Sequence, residues 1–323
     1  MKDGSGRKIE YLRVSVTDKC NLRCAYCMPK DGICSLSHGE ILTFEEIVRL
    51  TRILADLGVR RVRLTGGEPT VRRDFTSLVR EISLIHGIEE VVMTSNGLLL
   101  EEMAPALWEA GLKGVNISID ALDEEVYKEI TGSCGVKKAL GAMEKCLALG
   151  MKVKLNCVPV RGVNEEQLLP LAMLTKSYPV DVRFIELMPL GCGAAFKGIP
   201  SEEIKGILSA ELKLKEDPCK EGVKGPATYV RGEGFPGRIG FISPMTGKFC
   251  ESCNRIRLTS DGFLKLCLYS SKGIPLRDLL RGGADDGKLK AAVAGAALQK
   301  PEGHFFGEED PEREVKRMNE IGG

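Results

Sequence analysis

Two groups of cysteines have the spacing that could do chemistry. The segment "CNLRCAYC" puts three and then two residues between Cys20, Cys24 and Cys27, and "CESCNRIRLTSDGFLKLC" puts two and then thirteen between Cys250, Cys253 and Cys267. Thiolates are soft ligands that suit iron–sulfur clusters and zinc. Short spacers on a loop let each sulfur turn inward around one compact inorganic core. Three protein ligands leave one metal position open, which is what a site keeps when something other than protein must bind there. Each group also has a plainer reading as a closed zinc site, with His38 or Cys34 completing the first and His304 or Cys219 the second. The remaining cysteines, Cys34, Cys134, Cys146, Cys157, Cys192 and Cys219, stand alone and read as small buried hydrophobes or loop thiols. The first residues lack the apolar stretch of a secretion signal, and no run reaches the roughly 18 apolar residues of a membrane span. A cytoplasmic setting follows, in which clustered cysteines read as metal ligands rather than disulfides.

Charge points the same way by its placement. The chain has 46 basic and 45 acidic residues, net +1, so no overall field favours nucleic acid or an anionic membrane. Any anionic ligand must be held by cations gathered locally. Arg13 and Arg63 fall inside strand-like runs, and Lys154 and Arg183 repeat the anomaly. A charge facing an apolar core costs several kcal/mol unless paired, so these side chains are expected to face a polar cavity. Arg255 and Arg257 follow Cys253 almost directly. Guanidinium forks suit phosphates and planar polar edges, and a lumen lined this way suits a polyanion such as a nucleoside triphosphate.

The elements that must position these residues follow from periodicity. Runs rich in Val and Ile at 11–16, 60–66, 90–96, 114–120, 152–158 and 181–188 read as strands. Amphipathic stretches near 43–57, 75–84, 101–110, 123–149 with a break at "TGSCG", and 164–176 read as helices, and Thr43 with Glu46 forms a capping box. Repeated β-then-α units imply right-handed crossovers and a parallel sheet. Each strand ends in residues a plain connector does not need, and active sites of parallel barrels are built at those ends. After Leu190 the sequence loosens into Gly- and Pro-rich stretches, read as a smaller second region that holds the second cysteine group.

"CNLRCAYC", with Tyr26 before the last cysteine, and "GGEP" at the end of the second strand resemble the radical S-adenosylmethionine enzymes. The resemblance implies an α/β fold, a six-unit (β/α) partial TIM-type barrel over 1–190 and a C-terminal region over 191–323. It also implies two 4Fe-4S clusters held by the two cysteine groups, with S-adenosylmethionine contacted by Tyr26, Gly67, Ser118 and Met188. Over nearly the whole chain, through "VRFIELMPLG", "CNRIRLTSDG" and a terminal "GG", the sequence is similar to the branch of that family that cyclises GTP for molybdenum-cofactor biosynthesis. That likeness implies a lyase acting on GTP, held by Arg13, Arg63, Thr94, Lys154, Arg255, Ile256 and Arg257, with Arg61 and Arg183 near the triphosphate. Gly322 and Gly323 would form a tail reaching the active site. An external electron donor, a cyclic pyranopterin monophosphate synthase taking the product, and a homodimer complete the expected partners. Two other readings compete: a peptide-modifying radical enzyme, and an iron–sulfur or zinc carrier with no reaction of its own.

Overall fold

Alternation along the strands sets the architecture. In β1 (Tyr11–Ser15) Leu12 and Val14 are buried while Tyr11 and Arg13 are partly open, and β2 (Arg61–Thr65) repeats this with Val62 and Leu64 against Arg61 and Arg63. Successive residues of a strand face opposite sides, so this sheet has one apolar face and one polar face. The computed structural model describes residues 1–29, 31–32, 35–217, 225–306 and 312–322. Cys34, Cys219 and Gly323 lie outside them.

Four further strands follow in chain order, β3 (Glu90–Ser95), β4 (Gly114–Ser118), β5 (Lys152–Cys157) and β6 (Asp181–Ile185), each parallel to its predecessor. The connections carry α1 (Phe44–Asp56), α2 (Phe75–Ser83), α3 (Leu100–Glu109), α4 (Glu124–Thr131), α5 (Val136–Ala148) and α6 (Leu168–Ser177). Thr43 and Glu46 form the reciprocal cap of α1, the Glu46 N–H donating to the Thr43 hydroxyl and the Thr43 N–H to the Glu46 carboxylate. Gly132, in the left-handed region at φ 75°, ends α4 within "TGSCG", and α5 restarts at Val136. The core lies between the apolar sheet face and the helices: Leu12, Val62 and Val182 are buried in one cluster with Leu50, Leu78, Leu107 and Leu171.

The second region does not pack on the first as a separate layer; it completes the same sheet. After α7 (Ser201–Glu211), the strands β7 (Leu214–Glu216), β8 (Ala227–Gly232) and β9 (Arg238–Ile242) extend one edge, β9 running parallel to β6. At the other edge β10 (Arg255–Leu258) runs parallel to β1, followed by antiparallel β11 (Phe263–Lys265) and β12 (Gly273–Pro275). The order is β12-β11-β10-β1-β2-β3-β4-β5-β6-β9-β8-β7, a mixed sheet that is not closed. Without these strands, β1 and β6 would each expose a row of unpaired N–H and C=O groups. Three helices complete the chain, α8 (Leu276–Arg281), α9 (Asp286–Leu298) and the short α10 (Met318–Ile321). Among the described residues no helix is long and apolar enough to cross a membrane.

Candidate active site

The polar sheet face carries a row of arginines fixed by register. Arg13 on β1 pairs with Arg257 on β10 and with Arg63 on β2, so the three guanidinium groups leave the same face side by side. The next strands continue the face with Thr94, Asn116, Lys154 and Asp181, aligned across β3 to β6. Burial, then the neighbouring Arg257 and Arg63 charges, holds Arg13 well below the usual range, and burial followed by Arg255 brings Arg257 down to about 10. Cations crowded in this way favour an anion among them. Arg63 donates to the Tyr11 hydroxyl and, at 3.2 Å, to Thr94 Oγ1; Arg183 donates twice to Asn156 Oδ1, at 2.9 and 2.6 Å. Lys154 lies 3.3 Å from Asp181, which Arg238 also grips at 2.8 Å.

This face bounds a cavity of about 800 Å³, large for a small-molecule site. Tyr26, Gly67, Ser118, Met188, Arg13, Arg63, Thr94, Lys154, Arg255 and Arg257 all line it, as do Arg61, Arg183 and both cysteine groups. Ile256 does not. Its register partner is Leu12, so its side chain leaves the sheet on the apolar face, where it is 1% exposed in the core. The alternation that turns Arg255 and Arg257 toward the cavity turns Ile256 away.

The two cysteine groups sit at opposite ends of the cavity, a consequence of strand direction. Cys20 follows the carboxyl end of β1, and Asn96, just past β3, points its amide at the Cys20 sulfur, 3.9 Å away. Cys253 precedes the amino end of β10, which is parallel to β1, and Cys267 follows β11, which returns antiparallel. Between them run the five residues of β1, roughly 16 Å of strand.

The first loop is held by main-chain contacts. Gly67 N–H donates to Thr17 O at 2.7 Å and Glu68 N–H to Lys19 O at 2.8 Å; a Cβ on Gly67 would lie 2.3 Å from Lys19 O, so only glycine permits this approach. Arg23 and Ala25 N–H donate to Thr131 and Ile130 at the end of α4. Tyr26 donates its hydroxyl to Asp120 Oδ2 at 2.6 Å, and Val158 N–H donates to Asp120 Oδ1 at 2.8 Å, tying the loop to the ends of β4 and β5. Glu68 accepts from Thr70, Ser95 and Asn96 and locks the "GGEP" and "SNG" loops together. Asp120, Glu68 and Asn96 join the site only through the tertiary structure; their sequence signal is their place in the unusual strand-end segments.

The second group lies among cations. Lys300 donates to Arg255 O at 2.9 Å, and Arg7 donates to Cys250 O at 2.9 Å. Against burial, which would raise it, Lys300 and Arg255 draw the Cys253 thiol down to about 7. The segment 312–322 then returns to the cavity, which its Met318 and Asn319 line. Arg257 donates to Gly322 O at 2.7 Å, and Gly322, at φ 77°, is so close to the ends of β1 and β2 that a Cβ would lie 2.8 Å from Ser15 Cβ.

The donor chemistry fits iron–sulfur clusters. Cys27 is pushed up to about 12 by burial and by Cys20 and Cys192, so these thiols become thiolates together only when metal charge offsets their repulsion. Among the described residues no three His, Cys, Asp or Glu are gathered as a single metal ion would require.

Similarity to known proteins agrees with this geometry. Residues 14–174 match the Radical SAM superfamily model and 180–306 the Molybdenum Cofactor Synthesis C model. Curated relatives named GTP 3′,8-cyclase from Clostridium perfringens (strain SM101 / Type A) and Pelotomaculum thermopropionicum are 46% and 45% identical, each aligned over 100% of both chains. The chain belongs to the GTP 3′,8-cyclase family. A third member of that family, from Moorella thermoacetica, is 44% identical over the same full extent. Among solved structures, Streptococcus suis SuiB bound to S-adenosylmethionine superposes with a TM-score of 0.62 at 14% identity, covering 96% of this chain and 76% of that one. This last likeness is one of fold.

Proposed function

We propose that the chain is a radical S-adenosylmethionine lyase that converts GTP to (8S)-3′,8-cyclo-7,8-dihydroguanosine 5′-triphosphate in molybdenum-cofactor biosynthesis. The observation that carries this reading is the pairing of two three-thiol groups at opposite ends of one cavity with the Arg257–Arg13–Arg63 row between them. Cys20, Cys24 and Cys27 would hold one 4Fe-4S cluster and Cys250, Cys253 and Cys267 the other, each leaving an iron open. When bound, the first cluster and S-adenosylmethionine would supply radical chemistry for removing the ribose C3′ hydrogen of GTP, one electron from an external donor cleaving the sulfonium and a further electron and a proton completing the product once C3′ has bonded to guanine C8.

The protein's part is to bind, orient and exclude water. Tyr26, Gly67, Ser118 and Met188 line the cavity near the first thiols and would hold S-adenosylmethionine. Arg13, Arg63, Thr94, Lys154, Arg255 and Arg257 would hold GTP, with Arg61 and Arg183 toward the triphosphate. The Ile256 side chain is not part of this set; only its main chain could contribute. Met318 and Asn319 of the returning segment line the cavity, and Arg257 holds Gly322 against the ends of β1 and β2. Residues 1–190 would form the six-unit partial barrel and 191–323 the part bearing the second cluster, both built on one sheet. An external electron donor, a downstream cyclic pyranopterin monophosphate synthase, a homodimer and a cytoplasmic setting belong to the same reading.

The test is anaerobic incubation of reconstituted protein with S-adenosylmethionine, dithionite and GTP. A cyclised nucleotide identified by mass, with GTP-dependent 5′-deoxyadenosine, is expected. Formation of neither would refute the assignment.

A further inference from the structure

The last described turn of the chain brings an unused polar group to the first thiols. Residues 312–322 are strapped down along their length. Ser271 N–H donates to Glu312 O at 2.8 Å, Glu314 N–H donates to Tyr269 O at 2.6 Å, and the buried Glu314 carboxylate is paired with buried Lys265. Arg313 donates to Pro189 O, and Ile321 is buried. The strap presents Asn319 at a set height, with its main-chain N–H donating to the Cys27 sulfur. The Asn319 side chain lines the cavity and the residue is 1% exposed, yet neither its amide oxygen nor its amide nitrogen has a hydrogen-bond partner among the described residues. A primary amide offers two donors and an acceptor in one plane, and leaving all of them unmet in a buried place is costly and rare. Nothing in the fold itself uses this side chain.

We infer that Asn319 is a cofactor-binding residue whose carboxamide hydrogen-bonds the adenosyl part of S-adenosylmethionine. This rests on the cofactor assignment of the preceding section. The cofactor end is favoured over the nucleotide end because the Asn319 main chain is fixed on Cys27, whereas the contact with the arginine row is made three residues later, by Gly322. A nucleoside edge presents neighbouring donors and acceptors, which a coplanar amide can satisfy in pairs. The C-terminal strap thereby does two jobs from one short segment: Gly322 meets the guanidinium row and Asn319 meets the cofactor.

The test measures equilibrium binding of S-adenosylmethionine and, separately, of GTP to reconstituted protein without reductant, so that no turnover intervenes. Asn319→Ala is expected to weaken S-adenosylmethionine binding roughly tenfold, the size of one lost hydrogen bond to a bound ligand. GTP affinity should stay within about twofold by the same reasoning, and iron content should be unchanged. Asn319→Ser, which keeps a donor and an acceptor, should recover part of the loss. Unchanged S-adenosylmethionine affinity in Asn319→Ala would overturn the inference, and so would a loss confined to GTP. A parallel loss of both ligands would also overturn it, since that marks a strap that has merely come undone. Absence of S-adenosylmethionine binding by the unaltered protein would instead bring down the underlying cofactor assignment.

Discussion

At the carboxyl end of the strands, burial and Asp120 push the Cys24 thiol up and burial with Cys20 takes Cys27 to about 12, whereas at the amino end Lys300 and Arg255 overcome burial and bring Cys253 to about 7. The first group is ringed by thiols and buried acids, Glu68 and Asp120, while the second is ringed by cations. Assembly of a cluster at the first end must therefore release protons against a gradient that the metal's own charge reverses. At the second end burial still raises the Cys250 thiol, and Cys253 alone is already drawn down. The same asymmetry suits a sulfonium, which is positive, at the first end and a polyanion reaching toward the second.

The sharpest way to break this comparison is to remove one thiol from each end. Cys24→Ser is expected to abolish 5′-deoxyadenosine formation under all conditions, and Cys253→Ser to abolish the cyclised nucleotide while S-adenosylmethionine binding persists. Iron analysis should fall in both from about eight atoms per chain, the content of two cubane clusters, to about half. Identical phenotypes in both assays would mean that the two ends do not divide the labour.

Arg257→Ala comes next in size. The loss of one charge-assisted contact should weaken GTP binding about 10- to 100-fold, with the first cluster and S-adenosylmethionine affinity unaffected; a calorimetric titration that returns the parent GTP affinity would contradict the role given to the arginine row.

The thiols can also be compared directly in cluster-free protein. A group lowered to about 7 is mostly thiolate at pH 8, while one raised to about 12 is almost wholly protonated. Iodoacetamide at pH 8 should therefore modify Cys253 faster than Cys27 by on the order of tenfold or more, the lower intrinsic nucleophilicity of the more acidic thiol narrowing the gap. Equal rates by peptide mass spectrometry would show that the two environments do not differ. The smallest functional effect is expected at Ile256. Ile256→Ala should cost about 2–4 kcal/mol of stability from a filled core, seen in denaturant unfolding, and leave GTP affinity where it was.

Much of this was legible along the chain. Strand runs at 11–16, 60–66 and 152–158 placed β1, β2 and β5 because β-branched residues alternate there with Arg and Lys, and that alternation itself announced a polar face. The hairpin of β8 and β9 leaves little signal along the chain, since the Gly and Pro of "GEGFPG" dominate a stretch whose strands are short. Ile256 enters the expected site with Arg255 and Arg257 because the resemblance implies the whole segment, and period-2 geometry turns its side chain away from the cavity.

What the sequence by itself determined was the chemistry: which thiols come in threes, which cations sit where a core should be, and which loops end the strands. These are properties of residue type and spacing, and local physics suffices to read them. Only the tertiary structure decided how they meet. Because β10 lies parallel beside β1, a cysteine group some 230 residues away, Cys253 as against Cys20, falls at the opposite end of the same cavity, and register across that edge lines up Arg257, Arg13 and Arg63. The returning tail sets Asn319 against Cys27 for the same reason: long-range pairing, which no periodicity encodes, chooses the neighbours.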